Sequence, residues 1–177
     1  MQKDTIAIHA GYDKKSGNGE MAIPISQTTA YAFRDAEHAA NLFALKELGP
    51  IYTRLNNPTN DILEQRYAQL ENGAAALVTA SGASAIFYAI ANIAEAGDNI
   101  LISDKLYGGS VTLFHFTLKR FGISVKTFKS DDASDLESLV DDKTKGIFFE
   151  SLSNPQIAIP AIEKIVEVAS AAAPFSS

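Results

Sequence analysis

Four short apolar runs alternate with segments of helical periodicity from residue 60 onward, and this alternation constrains the fold more than any other feature. The runs predict strands near residues 76–79, 99–103, 123–128 and 146–149. Strands that are joined through helices run parallel, and a parallel sheet is covered on both faces. The sequence therefore predicts an α/β fold in which helices sandwich a mainly parallel sheet in three layers.

Helical spacing fills the intervals between the predicted strands. It predicts helices over residues 82–95, 109–120 and 160–171. A shorter helix is expected where Ser134 and Glu137 stand three residues apart, because that spacing is typical of a capping box.

Residues 1 to about 60 have a different character. They are rich in Gly, Pro, Ser and Thr, and the pattern DAEHAANLFALKEL predicts one helix among them. An arm of this length is disordered, wrapped on its own domain or wrapped on a partner. Apolar residues such as Ile23, Tyr31 and Phe33 favour the two wrapped alternatives.

Composition excludes several classes of protein. The 177 residues carry a net charge of −6, which argues against nucleic acid or an anionic membrane as the main partner. There is no cysteine, so disulfides and thiolate metal sites are excluded, and the three histidines have no metal-ligand spacing. No metal is therefore expected. No apolar stretch has the length of a signal peptide or a membrane span, which makes a cytoplasmic protein the default expectation.

The stretch TASGASA follows the first predicted strand and opens a helix. The first N–H groups of a helix lack intrahelical partners and favour an anion, and Gly82 lets a phosphate approach the main chain. Ser81 and Ser84 add hydroxyl groups. The alternative is that Ser81 only caps the helix and Gly82 only makes the turn. The stretch is neither G-x-G-x-x-G nor a Walker A loop, which disfavours a dinucleotide or a nucleoside triphosphate.

Other residues suited to binding follow later strands or lie in the arm. Tyr107 can stack on a planar ligand, and Asn154, before Pro155, can direct its amide into the same cleft. Arg54, near Tyr52, is suited to a phosphate contact. The alternatives are a tyrosine that covers a helix, an Asn-Pro turn and an exposed arginine. Together these residues indicate one flat, phosphorylated cofactor.

Seven motifs occur in an order that resembles a known family: HAG, PISQTTAYAF, YTRLNNPT, LENG, TASGASA, LYGGS and ESLSNP. From about residue 4 to about residue 171 the chain is similar to the Cys/Met-metabolism enzymes that depend on pyridoxal 5′-phosphate (PLP). The resemblance implies the aspartate-aminotransferase-like fold, PLP fold type I. Within the family it is strongest to O-acetylhomoserine sulfhydrylases, transferases that replace the acetyl group of O-acetylhomoserine with a sulfur nucleophile and yield homocysteine or methionine.

The resemblance also implies roles for individual residues. Gly82 and Ala83 would bind the PLP phosphate through their backbone N–H groups beside Ser81, although the family more often has Met, Leu or Gln at position 83. Tyr107 would stack on the pyridine ring, and Asn154 would lie near the ring hydroxyl.

Tyr52 and Arg54 would reach the phosphate of a neighbouring subunit, and Tyr52 and Tyr107 are the expected catalytic residues. The resemblance thus implies an inter-subunit arm over residues 1–60, a partial PLP-binding domain over residues 61–177, an amino-acid substrate and a homotetramer built as a dimer of dimers.

The family pattern continues to an aspartate that pairs with the pyridine nitrogen and to a lysine that forms the Schiff base. Neither is recognisable here, and Lys105, the only lysine beside a predicted site loop, is expected to be a surface residue. We therefore expect an N-terminal portion that lacks the distal part of the PLP domain and the C-terminal domain, and that is inactive by itself.

Three alternatives stay open. The activity could be that of a cystathionine γ-synthase, a cystathionine γ-lyase or a methionine γ-lyase. The chain could be a non-catalytic product that only associates with full-length subunits. A nicotinamide-binding α/β domain is a distant third, because the glycine fingerprint is missing.

Overall fold

A computed structural model describes residues 2–15 and 19–172. The chain divides into two compact units between Val78 and Thr79. The first unit contains helices α1 (Lys3–His9), α2 (Ala36–Phe43) and α3 (Pro58–Leu70). The predicted division at residue 60 stays a prediction.

The arm within the first unit is ordered by hydrogen bonds to itself. The amide of the buried Asn57 donates to the carbonyl of Ser26 at 3.0 Å, and the Asn57 side-chain oxygen caps α3 by accepting the N–H of Thr59 at 2.9 Å. The N–H of Thr53 donates to the Thr29 carbonyl at 2.8 Å. These bonds join the two loop segments on either side of α2, so the described part of the arm folds on its own unit.

Within the described residues, the second unit holds the three strands and the remaining helices. Its strands are β1 (Asn99–Ser103), β2 (Ser124–Phe128) and β3 (Thr144–Phe148), and its helices are α4 (Gly82–Ile93), α5 (Gly108–Thr112), α6 (Leu136–Leu139) and α7 (Ile162–Ala171). After α5 the chain continues through a π-helical turn, Leu113–Thr117, and a 3-10 turn, Leu118–Phe121. The helix predicted over 109–120 is therefore present but irregular.

The predicted parallel sheet is confirmed. The strand order is β2-β1-β3, and β1 pairs in parallel with both neighbours, with Ile100 opposite Val125 and Leu101 opposite Ile147. Every residue of β1 is buried, as expected for the central strand of a covered sheet.

Side chains of β1 alternate between two apolar cores, one on each face of the sheet. Ile100 and Ile102 pack with Ile90 of α4 and with Phe114. Leu101 packs on the opposite face with residues of α6 and α7, which include Leu136, Ile165 and Val168. Burial of each such side chain is worth about 1.5–3 kcal/mol. The predicted three-layer sandwich is thereby confirmed.

The strand predicted near residues 76–79 is wrong, because no strand forms there. A strand depends on ladder hydrogen bonds to a neighbour. The N–H of Val78 instead donates to the Glu64 carboxylate at 2.9 Å, and Leu77 is 73% exposed. An apolar run without a pairing partner thus remains extended coil.

The capping box predicted at Ser134 and Glu137 is also wrong. Helix α6 begins at Leu136, and the side chain of its N-cap residue, Asp135, makes no capping hydrogen bond. The N–H of Ser134 donates to the Asp132 carboxylate at 3.1 Å, and Asp135 accepts from the N–H of Lys129 at 3.0 Å. These turn contacts occupy the residues that the capping box required.

A polar network joins the amino ends of the three strands. Asn99 of β1 donates to the Asp141 carboxylate at 2.8 Å, and Lys126 of β2 donates to the other carboxylate oxygen at 2.6 Å. The fully buried Thr144 hydroxyl lies 2.9 Å from the Asn99 side-chain oxygen. Hydrogen bonds from Lys126 and Asn99 lower the pKa of Asp141 well below its usual range.

Candidate functional site

Loops at the carboxyl ends of β1 and β3 form a cavity of about 740 Å³ together with the start of α4. Ligands of open parallel sheets bind at this end of the strands, and ligand pockets commonly enclose roughly 300–1,000 Å³. The lining residues include three predicted site groups, Gly82 with Ala83, Tyr107 and Asn154. Their predicted convergence at one edge is confirmed. The remaining lining residues are Ile86, Gly109, Ser110, Leu113, Phe149, Glu150, Ser151 and Leu152.

Helix α4 begins at the cavity, and its first residues are accessible from it. Ser81 is the N-cap, and its hydroxyl oxygen accepts the N–H of Ser84 at 3.1 Å. The N–H groups of Gly82 and Ala83 belong to the first turn, where a helix supplies no acceptor. A Cβ built on Gly82 would meet no protein atom within 4 Å. Protein packing therefore leaves the main chain at Gly82 accessible to a ligand.

The Ser81 hydroxyl serves as the cap and still has donor capacity. Its oxygen lies 2.9 Å from the Ser84 hydroxyl oxygen, and either group can be the donor. When Ser84 donates, the Ser81 proton is available to a ligand. The capping and phosphate-binding interpretations of Ser81 are therefore compatible.

Tyr107 is the N-cap residue of α5, and its ring lies over Gly109. The side chain is 57% exposed. A Cβ built on Gly109 would be 2.4 Å from Cε1 of Tyr107, which is closer than real atoms approach. The missing side chain of Gly109 is what makes room for this ring position.

Glu150, two residues after the end of β3, binds the backbone of Tyr107. Its carboxylate oxygens accept the N–H of Tyr107 at 3.0 and 3.2 Å, and one of them also accepts the hydroxyl of Ser110 at 3.3 Å. Sequence reasoning placed Glu150 at a strand end but did not assign it a role. The sequence shows a carboxylate after an apolar run, but this pattern does not predict which N–H group the carboxylate binds.

Asn154 lines the cavity next to a closed loop. The Asn154–Pro155 peptide bond is cis. Ser153 faces inward to this loop, because its backbone N–H donates to the Ala158 carbonyl and its hydroxyl accepts the Ala158 N–H, both at 3.0 Å. Among the residues of this turn, 153–158, Asn154 is the one that lines the cavity.

Tyr52 and Arg54 belong to the first unit and are not among the cavity residues. Both side chains are exposed, and the Arg54 guanidinium carbon lies 5.8 Å from the centre of the Tyr52 ring. Tyr52 is anchored by an antiparallel bridge to Ala30. Their expected contact with a neighbouring subunit stays a prediction.

Lys105 forms an ion pair with Asp131. No lysine is among the cavity-lining residues within the described range. Lys105 is therefore paired with Asp131 and is not a cavity residue, and its side chain is partly buried rather than fully at the surface as expected.

Comparisons with known proteins agree with this geometry. The sequence profile of the Cys/Met metabolism PLP-dependent enzymes matches residues 4–175. Homocysteine synthase of Schizosaccharomyces pombe is 47% identical over 96% of this chain and 39% of its own length. O-acetyl-L-homoserine sulfhydrylase 1 of Thermus thermophilus is 46% identical over 96% of this chain and 40% of its own length.

Solved structures give the same result. An O-acetylhomoserine (thiol)-lyase of Campylobacter jejuni, solved with N′-pyridoxyl-lysine-5′-monophosphate, is 50% identical with a TM-score of 0.89 over 96% of this chain and 42% of that one. Cystathionine gamma-lyase of Lactobacillus plantarum is 29% identical, with a TM-score of 0.84. The match covers 97% of this chain and 42% of the lyase chain. The chain spans about two fifths of the length of these relatives. It belongs to the Cys/Met metabolism family of PLP-dependent enzymes.

Proposed function

We propose that this chain forms the cofactor-holding part of a PLP-dependent transferase that converts O-acetylhomoserine and a sulfur nucleophile to homocysteine or methionine. The observation that carries the proposal is that an open helix start, an exposed aromatic ring and an amide line one cavity. The 50% identity to the O-acetylhomoserine (thiol)-lyase, against 29% to the cystathionine gamma-lyase, favours sulfhydrylation over the other activities of the family.

The residues at the cavity fit PLP. The N–H groups of Gly82 and Ala83 would hold the phosphate, because the helix dipole favours an anion there, and Ser81 would donate its hydroxyl. The Tyr107 ring would stack on the pyridine, and the Asn154 amide would bind the ring hydroxyl. When bound, PLP supplies an electron sink for negative charge that develops on the amino-acid substrate.

Apolar side chains complete the cavity wall. Ile86, Leu113, Phe149 and Leu152 lie among the lining residues. They supply apolar surface that the bound ring would contact.

Tyr52 and Arg54 serve the site of a neighbouring subunit in this proposal, with Tyr52 and Tyr107 as catalytic residues. Their exposed side chains are available for such a contact. The assembly is a cytoplasmic homotetramer, built as a dimer of dimers. The 177 residues by themselves do not turn over substrate, since no lysine lines the described cavity.

A chimera tests the proposed activity. Residues 4–171 replace the matching segment of the Thermus thermophilus O-acetyl-L-homoserine sulfhydrylase 1, whose remaining sequence is kept. We expect the chimera to bind PLP and to convert O-acetylhomoserine with sulfide faster than it cleaves cystathionine. A folded, PLP-loaded chimera that prefers cystathionine would overturn the substrate assignment, and the unaltered relative is the control.

A further inference from the structure

We propose that Glu150 is a positioning residue that fixes Tyr107 for ring binding and acts through the Tyr107 backbone. This inference rests on the proposed function, because it assumes that Tyr107 stacks on a planar ligand. The evidence is the bond from the Tyr107 N–H to both carboxylate oxygens, at 3.0 and 3.2 Å.

The Glu150 carboxylate joins two loops that the chain separates by 43 residues. Glu150 comes two residues after the end of β3, whereas Tyr107 is the N-cap residue of α5 and Ser110 lies in its first turn. Hydrogen bonds to a charged acceptor are stronger than those between neutral groups. Ser110, which also donates to Glu150, is buried. The start of α5 is therefore tied to the end of the neighbouring strand at the edge of the cavity.

The ring of Tyr107 depends on this connection because packing does not hold it. More than half of the residue is exposed, and its ring lies against the main chain of Gly109, which has no side chain. A backbone anchor at Tyr107 and clearance at Gly109 together fix where the ring lies. Loss of the anchor leaves the ring free to move away from the position of a bound pyridine.

An acceptor at position 150, rather than its negative charge, is what this role requires. A glutamine keeps a carbonyl oxygen at the same distance from the backbone and can still accept the Tyr107 N–H. An alanine removes the acceptor and leaves that N–H without this partner. Glu150→Gln should therefore preserve the position of Tyr107, and Glu150→Ala should not.

The first measurement needs no ligand. Hydrogen exchange of the Tyr107 amide is followed by NMR in the 177-residue chain and in three variants. We expect about tenfold faster exchange in Glu150→Ala, and exchange within about twofold of the unaltered chain in Glu150→Gln. Glu167→Ala is the matched control, because Glu167 is an exposed residue of α7 that pairs with Lys164.

The second measurement compares two probes. Pyridoxine 5′-phosphate has the ring and the phosphate but no aldehyde, so it cannot react with lysines. We expect Glu150→Ala to weaken its binding about tenfold and to leave inorganic phosphate binding unchanged, because phosphate contacts Gly82 and Ala83. The loss should be no larger in Glu150→Ala/Tyr107→Ala than in Tyr107→Ala alone, since Glu150 acts through Tyr107.

Each contrary outcome is distinct. An unchanged Tyr107 amide in Glu150→Ala, or a Glu150→Gln variant as defective as Glu150→Ala, overturns the inference. If the unaltered chain binds neither probe, the proposed function fails. The exchange data then decide independently whether Glu150 anchors Tyr107. If Glu150→Ala does not fold, Glu150→Asp replaces it, because its side chain is one methylene shorter and should not reach the Tyr107 N–H.

Discussion

The ring of Tyr107 occupies the space that a side chain on residue 109 would need. The distance from a Cβ on Gly109 to Cε1 of Tyr107 would be 2.4 Å, whereas a Cβ on the adjacent Gly108 would meet nothing within 4 Å. Position 108 therefore has space for a side chain, whereas position 109 does not. Alanine substitutions at these two neighbouring glycines form a matched pair of variants.

Gly109→Ala should displace the Tyr107 ring, and Gly108→Ala should not. We expect Gly109→Ala to weaken binding of pyridoxine 5′-phosphate about tenfold, because the ring must rotate away from its stacking position. Equilibrium dialysis measures both variants against the unaltered chain. Equal affinity of the two variants would show that this ring position is not required for binding.

Gly82→Ala should weaken phosphate binding without destabilising the fold. The added methyl group meets no protein atom, so its effect falls on a ligand that approaches the main chain. We expect about a tenfold or larger loss of inorganic phosphate binding, with an unchanged denaturation midpoint. Gly73→Ala is the control, because Gly73 is not a cavity residue and its Cβ would make an ordinary 3.5 Å contact. Undiminished phosphate binding by Gly82→Ala would place the anion elsewhere.

Mixing two defective variants tests whether Arg54 serves a neighbouring subunit. Arg54→Ala and Gly82→Ala are each expected to bind pyridoxine 5′-phosphate weakly. In a random mixture of dimers, about a quarter of the sites would combine an intact Arg54 with an intact Gly82 from the other chain. Recovery of that fraction after unfolding and refolding together supports a shared site. If the mixture stays as weak as its components, each site is built within one chain.

Stability should fall in acid as Asp141 becomes protonated. Its pKa is lowered in the folded state by Lys126 and then Asn99, so the carboxylate stabilises the fold fully above its usual pKa of 3.8. That contribution is lost as the pH falls below this value toward the folded-state pKa. Denaturant unfolding from about pH 7 to about pH 2 should show a stability difference between the unaltered chain and Asp141→Asn that is constant above about pH 4 and narrows progressively below it. The exposed neighbour Asp142 supplies the control, Asp142→Asn, and a constant gap between Asp141→Asn and the unaltered chain would contradict the assignment.

Thr144→Val should destabilise the second unit through the same network. The substitution keeps the shape of the buried side chain but leaves the Asn99 side-chain oxygen without its hydroxyl partner. The expected loss is about 1–3 kcal/mol in the free energy of unfolding. Thr127→Val, on the exposed side of β2, is the matched control and should change little. A Thr144→Val variant as stable as Thr127→Val would mean that the network contributes no net stability.

The strand and helix order was predictable because β1, β2 and β3 carry apolar runs of strand length. Tyr107 and Asn154 were predictable as neighbours for the same reason, since each comes after a parallel strand. Gly82 was placed with them through a predicted strand at residues 76–79 that does not form, although Gly82 does line the same cavity. The unpaired segment near Leu77 was not predictable, because an apolar run does not reveal whether a partner strand is available. Glu150 was missed because its hydrogen bond crosses 43 residues and depends on the distance between two loops.

The polar network of Asn99, Asp141, Thr144 and Lys126 lies at the amino ends of the strands, whereas the cavity lies at their carboxyl ends. Residues that secure the sheet and residues that meet a ligand are thus separated by the length of a strand. Mutations that reshape the cavity wall, at Ile86, Leu113 or Leu152, can accumulate without loss of the network. Such a division lets one scaffold diverge toward different ligands while its folding determinants stay fixed.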